Sequence, residues 1–144
     1  MTLTYQQEQF LHAATARAAI LDLTARHNRA YSDGDRERWI ATFRHSGARY
    51  ARDGEVFTDL RAAFDGGDGQ RLVSVDHEIR IDGVHATQRC VAVLYAAMYG
   101  DTNLRATGVF RDQLIYEQIR RGRNGSAFPS GIPRATAPLH SRFT

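Results

Sequence analysis

The sequence predicts an α+β domain in which a curved antiparallel sheet wraps around a long N-terminal helix. Three observations carry this expectation. Apolar residues recur at helical spacing over residues 6–31, three strand-like runs fill residues 71–117, and the helical segments precede the strands. Successive strands joined by short turns pair antiparallel, and their apolar face needs a cover. The long helix is that cover, leaving a pocket at the open end of the curl.

In the first helix Phe10, Leu11, Ala14, Ala18, Leu21 and Ala25 recur at three and four residues, and Ile20, Leu23 and Tyr31 widen the stripe. His27 and Asn28 stand near its end, within reach of a cavity. The helix should stop at Ser32-Asp33-Gly34-Asp35, where glycine frees the backbone and an aspartate caps the next helix, Arg36 to Phe43, with Trp39, Ile40 and Phe43 on one side. Ala48 to Ala51 and Glu55 to Phe57 flank Asp53-Gly54 and read as a hairpin. Thr58 then caps a short helix through Phe64. Strands follow at Arg71 to Gly83, Thr87 to Tyr99 and Arg105 to Glu117, with turns at Asp82-Gly83 and Gly100 to Asn103. Residues 1–117 are expected to form one domain. Residues 118–144, rich in arginine, glycine, serine and proline, are expected to form an irregular arm.

Composition bounds the function. A chain of 144 residues with formal charge +3 and pI about 9.4 suits a single soluble domain, and its arginine excess gathers near the C-terminus without interleaved aromatics, so nucleic-acid binding is not indicated. No apolar run reaches the length of a membrane span and no leader pattern opens the chain, which leads to the expectation of a cytoplasmic protein. Cys90 is the single cysteine, so an internal disulfide is excluded, and its setting suits core packing. The histidines share no ligand spacing and no cofactor motif is present, so neither a metal nor an organic cofactor is expected.

One strand carries a residue out of keeping with its face. Val73, Val75, His77, Ile79 and Ile81 fall at every second position, which directs all five to the packed side. A buried imidazole needs a partner, and Tyr31-Ser-Asp33-Gly-Asp35 is the segment from which one is expected. A carboxylate beside an imidazole raises its basicity while apolar walls limit the rise, leaving a base poised near neutrality.

The order of elements resembles the nuclear transport factor 2-like, cystatin-like superfamily, a cone-shaped α+β fold, and within it the SnoaL-like branch of polyketide cyclases, dehydratases, dehydrochlorinases and isomerases. The resemblance rests on Arg17 to Leu23, on Tyr31 to Asp35 followed by Trp39 and Phe43, on Ile81 to Ala86, and on Ala106 to Asp112. It implies a catalytic pair in the cone, with Asp33 orienting His77 as the base. An ungapped alignment through Asp82-Gly83 and Ala86 places the family's histidine at Leu72 and its frequent asparagine at Asp76, which leaves the pair incomplete, whereas the alternation, or a bulge or one-turn shift, brings His77 inward. Tyr31, Asp76, Tyr95, Tyr99 and Tyr116 are the candidate substrate-binding residues, the phenols as donors to a developing oxyanion. The implied activity is a cofactor-independent lyase or isomerase acting on a small, largely apolar molecule. The alternative is a non-catalytic ligand-binding or dimerising module of the same fold. In either case a homodimer or higher homo-oligomer is expected, through an outer sheet face that includes Val91 and Val93.

Overall fold

A computed structural model describes residues 2–98, 101–118 and 131–137. Helix α1 runs from Tyr5 to Asp33, starting at a capping box in which the Thr4 hydroxyl accepts from the Gln7 amide and the Gln7 side chain accepts from the Thr4 amide. It ends at Gly34, whose φ of 70° lets the chain turn into α2, Arg36–Ala41, capped by Asp35. Strands β1, Tyr50–Arg52, and β2, Glu55–Phe57, form the expected hairpin. Helix α3, Leu60–Ala63, is capped by Asp59 and not by Thr58. The main sheet then follows in sequence order: β3, Gln70–Asp82; β4, His85–Met98; β5, Asp101–Gln118; and β6, Gly131–Ala137, all antiparallel neighbours. This is the α+β architecture expected, a long N-terminal helix lying on a curved sheet and packed against β3 and β6.

Three expectations need correction. The first concerns the buried face of α1. Phe10, Leu11 and Leu21 are exposed, Phe10 by 77%, and the inward positions are Ile20, Leu23, Thr24, His27, Asn28, Ala30 and Tyr31. The seam toward the sheet thus carries three polar side chains, which are tolerated there because each finds a hydrogen-bond partner.

The second concerns β3. Its register against β4 shifts between Val75 and Glu78, where Asp76 adopts φ 55°. Two residues, Asp76 and His77, stand where the partner strand has only Cys90, and this bulge changes the parity of the strand. Leu72, Ser74, His77, Ile79 and Ile81 face inward, whereas Val73 and Val75 are exposed. The bulge therefore brings His77 to the packed face, together with a different pair of upstream residues from those that simple alternation selects.

The third concerns the tail. Part of the segment expected to be irregular, Gly131–Ala137, is a strand paired with β5, Leu114 facing Ala135 and Tyr116 facing Pro133. Backbone pairing along an open sheet edge does not require an apolar period, which is why composition misses it.

The core falls into two parts. Tyr31, Trp39, Phe43, Tyr50 and Phe110 cluster with Leu72, Cys90 and Ala92 between the helices and the sheet, and Ile20, Leu23, Ile79 and Leu114 form a second group nearer the β3–β4 turn. Trp39 makes edge or tilted contacts with Phe43, Tyr50 and Phe64, so the short α2 serves to plug one end of the cone.

Candidate functional site

Inward polar residues of α1, β3, β4 and β5 join in one hydrogen-bonded chain. Trp39 donates Nε1–H to His27 Nε2 at 2.9 Å, which fixes His27 as the tautomer with its proton on Nδ1. That proton goes to Asn28 Oδ1 at 3.1 Å, and the Asn28 amide nitrogen donates to Ser74 Oγ at 2.8 Å. Ser74 and His77 Nε2 lie 3.2 Å apart, and His77 Nδ1 lies 3.0 Å from Gln88 Oε1. Because an amide oxygen only accepts, His77 carries its proton on Nδ1 and its Nε2 accepts from the Ser74 hydroxyl. Gln88 is held by two donations, to Thr24 Oγ1 and to Asp112 Oδ2, both at 2.9 Å. Every donor in the sequence from Trp39 onward points the same way, and the chain ends on a carboxylate.

Local structure explains how these residues meet. Thr24, His27 and Asn28 recur at three and four residues on α1, Gln88 and Asp112 are direct cross-strand partners in β4 and β5, and the β3 bulge presents Ser74 and His77 on one side. Asp112 is buried and its carboxyl is pushed up to about 6 by desolvation, which outweighs the Gln88 hydrogen bond and the nearby His77. Burial also brings His27 down to about 4, against the opposing Asn28 bond, so it stays neutral. Among the described residues Asp112 Oδ1 has no hydrogen-bond partner. Asp112 lines a cavity of about 20 Å³ with Leu23, Thr24, His27, Thr42, Phe110 and Leu114, space for a water-sized group. On the other side of the chain, Ser74 and His77 line an open groove of about 360 Å³ between α1 and β3, walled by Leu21, Ala25, Val73 and Tyr95.

The expected residues are distributed unevenly over this arrangement. His77 is in it, bonded to Ser74 and Gln88. Asp33 is not its partner: its carboxylate meets Arg71 at 3.1 Å on the surface, both side chains about half exposed. Tyr31 is buried, but its phenol donates to Asp65 at 3.0 Å, away from the chain, and burial next to that carboxylate pushes the phenol upward. Asp76 is exposed on the bulge. Tyr95 borders the groove, Tyr116 is half-buried two residues beyond Leu114, and Tyr99 lies outside the described residues. Sequence reasoning missed Thr24, Ser74, Gln88 and Asp112. Gln88 and Asp112 left one signal, polar residues at inward parity with Cys90 and Phe110 on strands that otherwise alternate. Among the described residues no cluster of metal-ligating side chains occurs.

Comparison with known proteins settles the family. The SnoaL-like domain matches residues 12–123. The chain belongs to the SnoaL-like family. No curated protein matches it. Among solved structures, this SnoaL-like chain is similar to an NTF2-like protein with a cystatin-like fold from Novosphingobium aromaticivorans, at 20% identity and TM-score 0.76 over 98% of this chain and 90% of that one. A candidate ketosteroid isomerase from Shewanella frigidimarina gives 14% identity and TM-score 0.60 over 86% and 94%. The association domain of C. elegans CaMKII gives 14% and 0.66 over 89% and 95%. These likenesses show a shared fold. SnoaL-like chemistry in this chain must be argued from the side chains themselves.

Proposed function

We propose that this SnoaL-like protein is a cofactor-independent lyase or isomerase of the dehydratase or cyclase type, moving a proton on a small, largely apolar molecule with Asp112 as the base. One observation carries the reading: a buried carboxylate has one oxygen held by Gln88 and the other unbonded among the described residues, beside a largely apolar cavity. Desolvation raises it to about 6, near the value at which a carboxylate is both ionised and basic at neutral pH. His77 then acts through Gln88, fixing the amide so that its nitrogen faces Asp112, and the role expected of Asp33 falls to no surface carboxylate. Because the cavity is small, substrate entry has to displace side chains at its lining, such as Leu23, Thr42 or Leu114.

The test is exchange of α-protons in D₂O, followed by NMR over a panel of cyclic ketones, enones and β-keto esters. The protein should exchange the α-proton of at least one class, and Asp112→Asn should slow that exchange by about 10²–10⁴-fold. Exchange that is unchanged in Asp112→Asn overturns the assignment.

A second reading, a ligand-binding or dimerising module without catalysis, is favoured by the filled interior, where Trp39, Phe43 and Phe110 leave only about 20 Å³. No exchange with any compound would support it. Under both readings the chain forms a homodimer. Val73 pairs with Val93 and Val75 with Val91, which in turn faces Val109, making an apolar patch on the outer sheet face beside a charged region of Glu78, Arg80, Arg89 and Arg111.

A further inference from the structure

In the α1–β3 groove the proton transfer at Asp112 draws on His77 through Gln88 but leaves the Ser74 hydroxyl unused. Ser74 lines it half-buried, 3.2 Å from His77 Nε2, and the ring's opposite nitrogen donates to Gln88 at 3.0 Å. A hydroxyl facing the unprotonated nitrogen of an imidazole, whose other nitrogen is held by an acceptor, is the arrangement that activates a serine nucleophile. Gln88 cannot turn over without losing its bond to Asp112, so the tautomer is fixed from behind. Asn28 supplies the complementary part. Its amide nitrogen lies 2.8 Å from Ser74 Oγ, and its orientation is locked because its oxygen accepts from His27, itself locked by Trp39. That donation occupies a lone pair of Oγ and leaves the Ser74 hydroxyl proton for His77 Nε2. Cys90 is hydrogen-bonded to Ser74 from the core side, but it is fully buried and its thiol is pushed up to about 12 by burial and by the Asp112 charge, which outweigh that bond, so it stays protonated and is not the nucleophile.

We infer that Ser74, His77 and Asn28 form an acyl-transfer site that takes small esters into the α1–β3 groove. Ser74 Oγ bonds to the acyl carbon while its proton passes to His77 Nε2. The carbon–alkoxide bond breaks, and the same proton leaves with the alcohol. Water then attacks the acyl-serine, giving its proton to His77, and Ser74 regains it as the carboxylic acid departs. Asn28, which holds the Ser74 hydroxyl, and Gln88, Asp112 and His27 are positioning residues. Leu21, Ala25, Val73 and Tyr95 give the groove an apolar wall and Arg29 and Arg71 a cationic rim, and its roughly 360 Å³ suits a short acyl or alcohol group. The inference is independent of proton transfer at Asp112, and its readout, acylation or phosphorylation of Ser74, does not depend on that reaction.

The full-length protein should be incubated with diisopropyl fluorophosphate and digested for mass spectrometry, and mixed separately with p-nitrophenyl acetate. Expected are phosphorylation at Ser74 and a burst of about one p-nitrophenolate per chain, with His77→Ala slowing the burst by about 10²–10⁴-fold. Ser74→Cys gives a second measurement: its new thiol should react with iodoacetamide faster than Cys90, and lose that advantage when combined with His77→Ala. Ser74 left unphosphorylated, or a Ser74→Cys thiol indifferent to His77, overturns the inference.

Discussion

At the scale of single residues, Asp112 and His27 make opposite demands on pH. Asp112 is raised from 3.8 to about 6, so the folded chain takes up its proton before the unfolded one does; the resulting stability is present below 3.8 and is lost as pH rises through 6. His27 is lowered from 6.5 to about 4, so its contribution is present above 6.5 and is lost as pH falls through 4. Each shift is worth about 3 kcal/mol, and between pH 6.5 and 4 the two nearly cancel. Asp112→Asn removes the compensating member. The variant should lose about 2 kcal/mol more than the parent between pH 6.5 and 4.5 in urea denaturation, and equal acid slopes for the two proteins would refute the argument. Trp39→Phe keeps an aromatic ring, though a smaller one, and strips His27 Nε2 of its donor. It should cost about 1–3 kcal/mol for an unsatisfied buried acceptor, and the thermal midpoint reads it.

At the scale of elements, the β3 bulge and the end of α1 decide the layout. Asp76 sits exposed at φ 55°, a conformation that a short polar side chain accepts and a β-branched one resists. Asp76→Val should therefore destabilise by about 1–2 kcal/mol although valine is the better strand former, while Asp76→Gly should be neutral or stabilising. Chemical denaturation of the pair checks the sign. Where α1 meets the loop before β3, the Gly67 amide donates to the Tyr31 carbonyl, and a Cβ on Gly66 would lie 2.3 Å from that same oxygen and 2.8 Å from the Phe64 ring. Gly66→Ala should cost about 1–3 kcal/mol through forced displacement. A thermal midpoint equal to that of the parent would contradict it.

At the scale of the whole molecule, association is the open question with a physical handle. Among the described residues no helix is long and apolar enough to cross a membrane. Val73 and Val75 are exposed by 41% and 48%, and continue into the Val91, Val93 and Val109 patch. Sedimentation should find a dimer at micromolar concentration, and Val73→Lys with Val75→Lys should give the monomer, since two buried unpaired charges cannot be accommodated at an apolar contact. A parent protein that sediments as a monomer at high concentration refutes this.

The sequence by itself determined the element types and their order as far as β5, because period, caps and turn residues are local: Asp53-Gly54, Gly34 and the alternation of β4 are legible one residue at a time. It also placed His77 on the inward face. Only the tertiary structure decided its partners. Hydropathy sends Thr24, Asn28 and Asp112 outward, and they lie inside because Gln88 and Ser74, distant in sequence, meet their hydrogen bonds there. The exchange of Asp33 for Gln88 and Asp112 has the same cause, for a side chain's partner is set by which strands pair and where one of them bulges, and neither is written in the spacing of residues along the chain.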